Sequence, residues 1–145
     1  MNRKKYLYVA PPTMPQPADR LICAATGNTT FAMFPELGFA GFPAGPIVLK
    51  YGKHLGGSRG YGFQHIWREH YPRIADHDVA QNVIIGYVSS ILVTNAPIYY
   101  EAGSRVAVFK ASAGQVIVEL RGAEYSVVTA YASRNAKGSW IGALA

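Results

Sequence analysis

The sequence predicts an α+β domain in which N-terminal helices are followed by a four-stranded antiparallel β-sheet. Two helical segments occupy the middle of the chain, and four short apolar or alternating runs follow at residues 96–101, 105–110, 115–120 and 125–132. The connections between these runs hold only a few residues, whereas a parallel crossover needs a dozen or more. The runs are therefore predicted to form an antiparallel meander. Helices that precede such a sheet are typical of an α+β fold.

The two helices are predicted from their start and stop signals. The first covers residues 63–71 and ends before Pro72, because proline disfavours helix at the residue before it. Asp76 or Asp78 is a suitable N-cap for the second, which runs to about Thr94. Its apolar residues recur at helical spacing and form one stripe of Val79, Val83, Tyr87 and Ile91.

Length and composition favour one basic globular domain. The chain has 145 residues, half of them hydrophobic, with a net charge of +6. Residues 1–20 are basic and proline-rich and are predicted to be an arm or linker, which leaves residues 21–145 as a single domain. The single cysteine, Cys23, excludes an internal disulfide framework and a cysteine metal site. No apolar run reaches the roughly 18 residues of a membrane span.

The densest functional signal lies between Lys50 and Arg73. This segment combines five basic residues with three of the four histidines and with interleaved aromatic residues. Cations attract phosphates and aromatic faces stack on unpaired bases, so the mixture suits single-stranded RNA. The alternative is a solvated basic helix beside a loop. The glycine-rich stretch at residues 56–62 allows the backbone to approach a phosphate, although an ordinary flexible connection explains it as well.

Helical angles separate two of the histidines. His65, Arg68 and Glu69 fall on one face of the first helix, which is predicted to meet solvent or substrate. His65 is then a candidate proton carrier and Arg68 a phosphate clamp. His70 falls on the other face with Phe63, Ile66 and Trp67, either as a core histidine or at the margin of a cleft. In the last strand, a period of two predicts one polar and aromatic face, made of Tyr125, Val127, Thr129, Tyr131 and Ser133.

Two stretches of the chain carry a resemblance to a known family. Residues 60–70 read G-Y-G-F-Q-H-I-W-R-E-H and are preceded by I-V-L-K-Y-G-K-H at 47–54. They resemble the G-x-G-x-x-H-I-x-x-x-H signature of the barnase/EndoU/colicin/RelE-like (BECR) nuclease superfamily, as found in phage proteins and bacterial polymorphic toxins. The run at 125–131 is similar to the final strand of that superfamily. The resemblance covers about residues 45–135.

The resemblance implies metal-independent cleavage of RNA with no cofactor. By position it carries catalytic roles to His65, His70, Thr129 and Tyr131, and RNA or phosphate binding to Lys53, His54, Arg59 and Arg68. It further implies a monomeric toxin that is delivered as the C-terminal part of a larger secreted protein. Such a toxin acts on RNA, with tRNA as the expected class, in the cytoplasm of a target bacterium and is held by a cognate immunity protein. The alternatives are a non-catalytic RNA- or DNA-binding module and a phage or housekeeping nuclease with no toxin role.

Overall fold

A computed structural model describes residues 19–37, 41–100, 103–133 and 138–145. The predicted arm at 1–20 therefore lies outside the described residues, except for Asp19 and Arg20. The described elements follow in the order β1 (Ala32–Phe34), β2 (Gly45–Val48), β3 (Lys53–Gly56), β4 (Arg59–Tyr61), α1 (Gly62–His70), α2 (His77–Ile91), β5 (Pro97–Tyr100), β6 (Val106–Ala111), β7 (Gly114–Arg121), β8 (Glu124–Tyr131) and β9 (Ser139–Ala143).

The predicted fold class is wrong, because the main sheet has seven strands and is mixed. Its strand order is β1-β2-β8-β7-β6-β5-β9, and β3 and β4 form a separate two-stranded hairpin. Strand β2 runs parallel to β8, while the other neighbours in the large sheet are antiparallel. Four strands precede the helices. β1 and β2 were not predicted, because β1 has only three residues and the four residues of β2 include a glycine and a proline, which are uncommon inside strands.

The four runs predicted as a meander do form neighbouring strands, β5 to β8. Each pairs antiparallel with the next. Both helices also form close to their predicted positions. Asp76 caps α2, because its carboxylate oxygen accepts a hydrogen bond from the backbone N–H of Val79 at 2.9 Å.

The predicted apolar stripe of α2 is wrong by one position. Val79 and Val83 are exposed, at 51% and 40% of their surface. The buried stripe of α2 consists instead of Ala80, Ile84, Val88 and Ile91. The two stripes share Ile91, and both have helical spacings of three or four residues, so periodicity alone does not choose between them.

One face of the large sheet carries the core. Cross-strand partners Phe109 and Val116, and Val118 and Val127, are fully buried and join the buried side chains of both helices in one cluster. Phe34, from β1, stacks on Tyr125 with ring centroids 4.1 Å apart. The opposite face of the sheet meets the β3–β4 hairpin, and the candidate site lies there.

Candidate active site

The β3–β4 hairpin leads directly into α1 and covers part of that helix. His54 pairs with Gly60 across the hairpin, and α1 begins two residues after Gly60. Gly60 has a φ of +134°, and a Cβ atom at this position would lie 2.8 Å from Nδ1 of His65. The absence of a side chain therefore allows the hairpin to close over His65.

His54 and His65 form a pair of facing imidazoles. Their Nδ1 atoms are 3.2 Å apart, and their ring centroids are 5.4 Å apart. A hydrogen bond between two ring nitrogens needs one donor and one acceptor, so only one of these two atoms carries a proton. A carboxylate oxygen of Glu69 lies 4.0 Å from Nε2 of His54. Glu69 therefore lies beside the imidazole pair, on the side of His54.

The predicted exposed face for His65 is wrong. Only 3% of the His65 surface is exposed. Burial lowers the pKa of His65 below its ordinary value of 6.5; the charge of Glu69 opposes this shift and the charge of His54 adds to it. The helical-angle argument assigned one buried face to α1, whereas the hairpin covers a second face that includes His65.

Of the two placements left open for His70, the one in the core is wrong. His70 is exposed at the C-terminal end of α1, and its ring stacks on Tyr131 with centroids 5.0 Å apart and an interplanar angle of 21°. Partial burial lowers the pKa of His70, and the negative charge of Glu69 opposes this shift. Among the described histidines of this region, His54 and His70 are therefore the ones that solvent or a substrate can reach.

A β-bulge determines which way the end of β8 faces. The pairing of β7 with β8 shifts between Ile117 and Val118, because Val128 is an extra residue on β8. The predicted uniform alternation of β8 is therefore wrong. Tyr125 and Val127 point into the core, whereas Thr129 and Tyr131 lie on the opposite face with the hairpin.

Two polar residues, Gln115 on β7 and Glu69 on α1, were not predicted as site residues. The Gln115 side-chain amide donates a hydrogen bond to the Tyr131 hydroxyl at 2.9 Å. Only 4% of the Gln115 surface is exposed. Among the described residues, the Oε1 atom of Gln115 and the hydroxyl oxygen of Thr129 are buried without a hydrogen-bond partner. Glu69 is the other missed residue. The register of β7 against β8 brings Gln115 opposite Tyr131, and such register is not readable from either strand alone.

The predicted phosphate-binding cations are exposed but separate. Lys53 and Arg59 lie on the two strands of the hairpin, and Arg68 lies on α1. In the described part of the chain no hydrogen bond or ion pair joins Arg68 to His65, and their predicted joint role as phosphate clamp and proton carrier stays a prediction. Within residues 19–37, 41–100, 103–133 and 138–145, no three histidine, cysteine or acidic side chains are arranged to hold a metal ion. No described helix is long and apolar enough to span a membrane.

The arrangement is suited to moving protons beside an anion. One imidazole pair holds a proton between two nitrogens, and another imidazole is stacked on a tyrosine. Exposed cations lie on the same hairpin and helix. Comparison of the chain with protein families, with curated proteins and with solved structures finds no match.

Proposed function

We propose that this chain is a ribonuclease that cleaves RNA by histidine acid–base catalysis without a metal ion. The observation that carries the proposal is the imidazole cluster of α1 and its hairpin: His54 and His65 share one proton, and His70 stands exposed against Tyr131. The chain has a net charge of +6, which attracts a polyanion such as RNA. Histidine suits the reaction because its ordinary pKa allows either protonation state near neutrality.

The proposed reaction is a transesterification within the RNA strand. A neutral imidazole accepts the proton of a ribose 2′-hydroxyl, and O2′ forms a bond to the adjacent phosphorus. The bond from phosphorus to O5′ of the next nucleotide breaks, and an imidazolium donates a proton to that leaving oxygen. The products are a 2′,3′-cyclic phosphate and a free 5′-hydroxyl. Each proton transfer contributes about 10²–10⁴-fold to the rate.

The exposure of each histidine decides its proposed role in the reaction. His54 and His70 are the imidazoles that reach the surface, so they contact the RNA, while the buried His65 holds the ring of His54 through the contact of their Nδ1 atoms. The Tyr131 hydroxyl accepts its hydrogen bond from Gln115, which leaves its own proton free to be donated to a phosphate oxygen. Lys53, Arg59 and Arg68 attract the flanking phosphates.

The biological setting follows from the BECR resemblance alone. On that basis the chain is the toxic part of a larger secreted protein that attacks tRNA in a target bacterium. Its expected inhibitor is an acidic immunity protein that covers the basic site. Co-expression of such a protein should relieve growth arrest, whereas high-level expression of the wild-type chain without any growth defect would contradict the toxin role.

The test of the activity uses a short RNA in EDTA. We expect cleavage, with 2′,3′-cyclic phosphate ends, and we expect none of it in the same oligonucleotide carrying a 2′-deoxyribose at the cleaved position. Cleavage that needs added Mg²⁺ or Zn²⁺, or that also cuts the 2′-deoxy position, would contradict the mechanism. RNA that binds but stays intact under every condition would identify a binding module instead.

A further inference from the structure

Beyond its first two residues, the exposed face of α2 carries no charged side chain. From Val79 to Tyr100 the chain contains no acidic or basic residue and no histidine. Within α2 this leaves an exposed stripe whose members are spaced by four, three and four residues, here called the α2 seam: Val79, Val83, Gly86 and Ser90. A surface helix ordinarily presents charged and polar residues to solvent. The seam therefore has the composition of a face that another surface covers.

Gly86 is the member of the seam that the folding of a single chain does not explain. It lies in the middle of the helix, where glycine is less favourable than alanine. Its backbone is helical, and no positive φ demands a glycine at this position. Apart from its neighbours in α2, nothing in the described part of the chain lies within 4 Å of its Cβ position. Glycine here leaves room for another backbone to approach closely.

The spacing of the seam is that of two α-helices packed along their length. Positions that alternate by four and three residues form the contact line of a coiled coil. If two copies of α2 pack antiparallel about a two-fold axis, Val79 faces Ser90 of the other copy and Val83 faces Gly86. Each layer then sets a valine against a small residue, and both copies use the same surface, as a two-fold interface requires. Ser90 tolerates being covered, because its hydroxyl donates a hydrogen bond to the Tyr87 carbonyl oxygen at 2.7 Å.

The charges of the chain also favour a second copy as the occupant of the seam. Each copy has a net charge of +6, so two copies repel each other, and an uncharged face adds nothing to that repulsion. Residues 21–35 are uncharged as well. Sγ of Cys23 lies 3.0 Å from the Ser89 hydroxyl oxygen, which places this segment beside α2. Ile22, in the same segment, is 54% exposed and extends the neutral surface.

We propose that this chain forms a dimer in which the α2 seams of two copies pack antiparallel against each other. The inference does not depend on the ribonuclease activity, and it departs from the monomer that the family resemblance implies. A helix of 15 residues is about 22 Å long. A pair of such helices buries less than the roughly 800 Å² per partner of a standard interface. The dimer therefore dissociates on dilution, with a dissociation constant in the micromolar range.

Sedimentation velocity of the full chain, at concentrations on both sides of that range, measures the dimer. Gly86→Lys should raise the dissociation constant about tenfold or more, because it brings a charge against the apolar seam of the other copy. The monomer should remain at least as stable, since lysine is the better helix former. Leu55→Lys is the matched control, because it replaces an exposed apolar side chain of the hairpin with the same charge and should leave the dimer intact.

A disulfide cross-link tests the antiparallel register. In Val79→Cys/Ser90→Cys the two thiols of one chain are about 16 Å apart along the helix, whereas a disulfide joins Cα atoms at most about 7 Å apart. The new thiols can therefore bond only between copies, and Cys23 is buried and does not compete. The double variant should oxidise to a covalent dimer. Neither single variant should, because the register separates like positions by the same distance.

The outcomes that overturn the inference are distinct. A chain that stays monomeric at every concentration, or a dimer that persists in Gly86→Lys, would reject the seam as the contact between copies. A monomer whose thermal midpoint falls in Gly86→Lys would show that the chain covers its own seam. Covalent dimers from Val79→Cys alone or Ser90→Cys alone would reject the antiparallel register.

Discussion

Two regions of this protein hold histidines in different ways. At the start of α2, Nδ1 of His77 lies 2.9 Å from a carboxylate oxygen of Asp78, and Nε2 lies 3.0 Å from the Tyr51 hydroxyl. A carboxylate only accepts, so Nδ1 of His77 carries a proton, and Nε2 is held against the Tyr51 hydroxyl. The ring also packs edge-on against Phe63 and Trp67.

The imidazoles at the hairpin and the end of α1 lack such fixed partners. His54 and His65 face each other with like nitrogens, and either can be the donor. His70 touches Tyr131 through its ring face, which leaves both of its nitrogens available for bonds in the plane of the ring. In this protein an imidazole is structural where its hydrogen bonds are fixed, and it is suited to catalysis where it shares a proton or is exposed.

The largest effect that separates the two regions is expected for His70→Ala. This variant should lose about 10²–10⁴-fold in the rate of RNA cleavage, with a nearly unchanged thermal midpoint because His70 is exposed. His77→Gln is the control and should retain cleavage. Rates and midpoints of both variants decide the point: an active His70→Ala, or an equal loss of activity in folded His77→Gln, would remove the distinction between the regions.

Closure of the hairpin over His65 is tested by Gly60→Ala. The new Cβ would meet the Lys53 carbonyl oxygen and Nδ1 of His65 at a φ of +134°. Backbone strain of this kind costs about 1–3 kcal/mol, and the steric overlap adds to it. Gly57→Ala is the matched control, since Gly57 also has a positive φ of +56° but no atom within 4 Å of its Cβ position. Urea unfolding should give a clearly larger loss of stability for Gly60→Ala, and equal losses would contradict the closed hairpin.

His65→Ala should be destabilising, contrary to what the helical-angle argument predicts. Removal of this buried ring leaves a cavity and takes away the partner of Nδ1 on His54. We expect a loss of about 1–3 kcal/mol in the free energy of unfolding. The exposed His70 again serves as the comparison. A His65→Ala protein as stable as His70→Ala would show that the imidazole pair does not support the fold.

The smallest effect is a pH dependence of stability. Burial lowers the pKa of His65 below 6.5, so the unfolded chain binds a proton more readily than the folded one. Stability should therefore be full above about pH 6.5 and should fall as the pH drops through the folded pKa. The groups that face this imidazole are His54 on β3 and Glu69 on α1. The slope should be shallower in His65→Ala; an unchanged slope would assign the effect to other groups.

Local signals predicted much of the central part of this fold. Helix ends followed from Pro72 and from the Asp76 cap, and the meander followed from short connections between apolar runs. The fold class was missed because β2 joins the sheet beside β8, about 80 residues later in the chain. Nothing in the four residues of β2 indicates that partner.

The residue types of the candidate site could be predicted from the sequence, but their arrangement in space could not. The segment rich in histidine does hold the imidazole cluster, but its exposed member is His70 and its buried member is His65. The hairpin contact and the bulge at Val128 decide this arrangement. Both depend on long-range packing, which cannot be inferred from the 3.6-residue period of a helix or the two-residue period of a strand.

The pH dependence of kcat/KM for RNA cleavage in EDTA tests the central claim most directly, because it reports the acid and the base of the free protein. Burial lowers the pKa of His70, one of the two imidazoles proposed to contact the RNA, below 6.5. We therefore predict that one limb of the wild-type profile lies on the acidic side of that value, and that this limb is lost in His70→Ala. A rate that rises continuously to about pH 8 or beyond, or cleavage that appears only after a divalent metal is added, would contradict catalysis by these imidazoles.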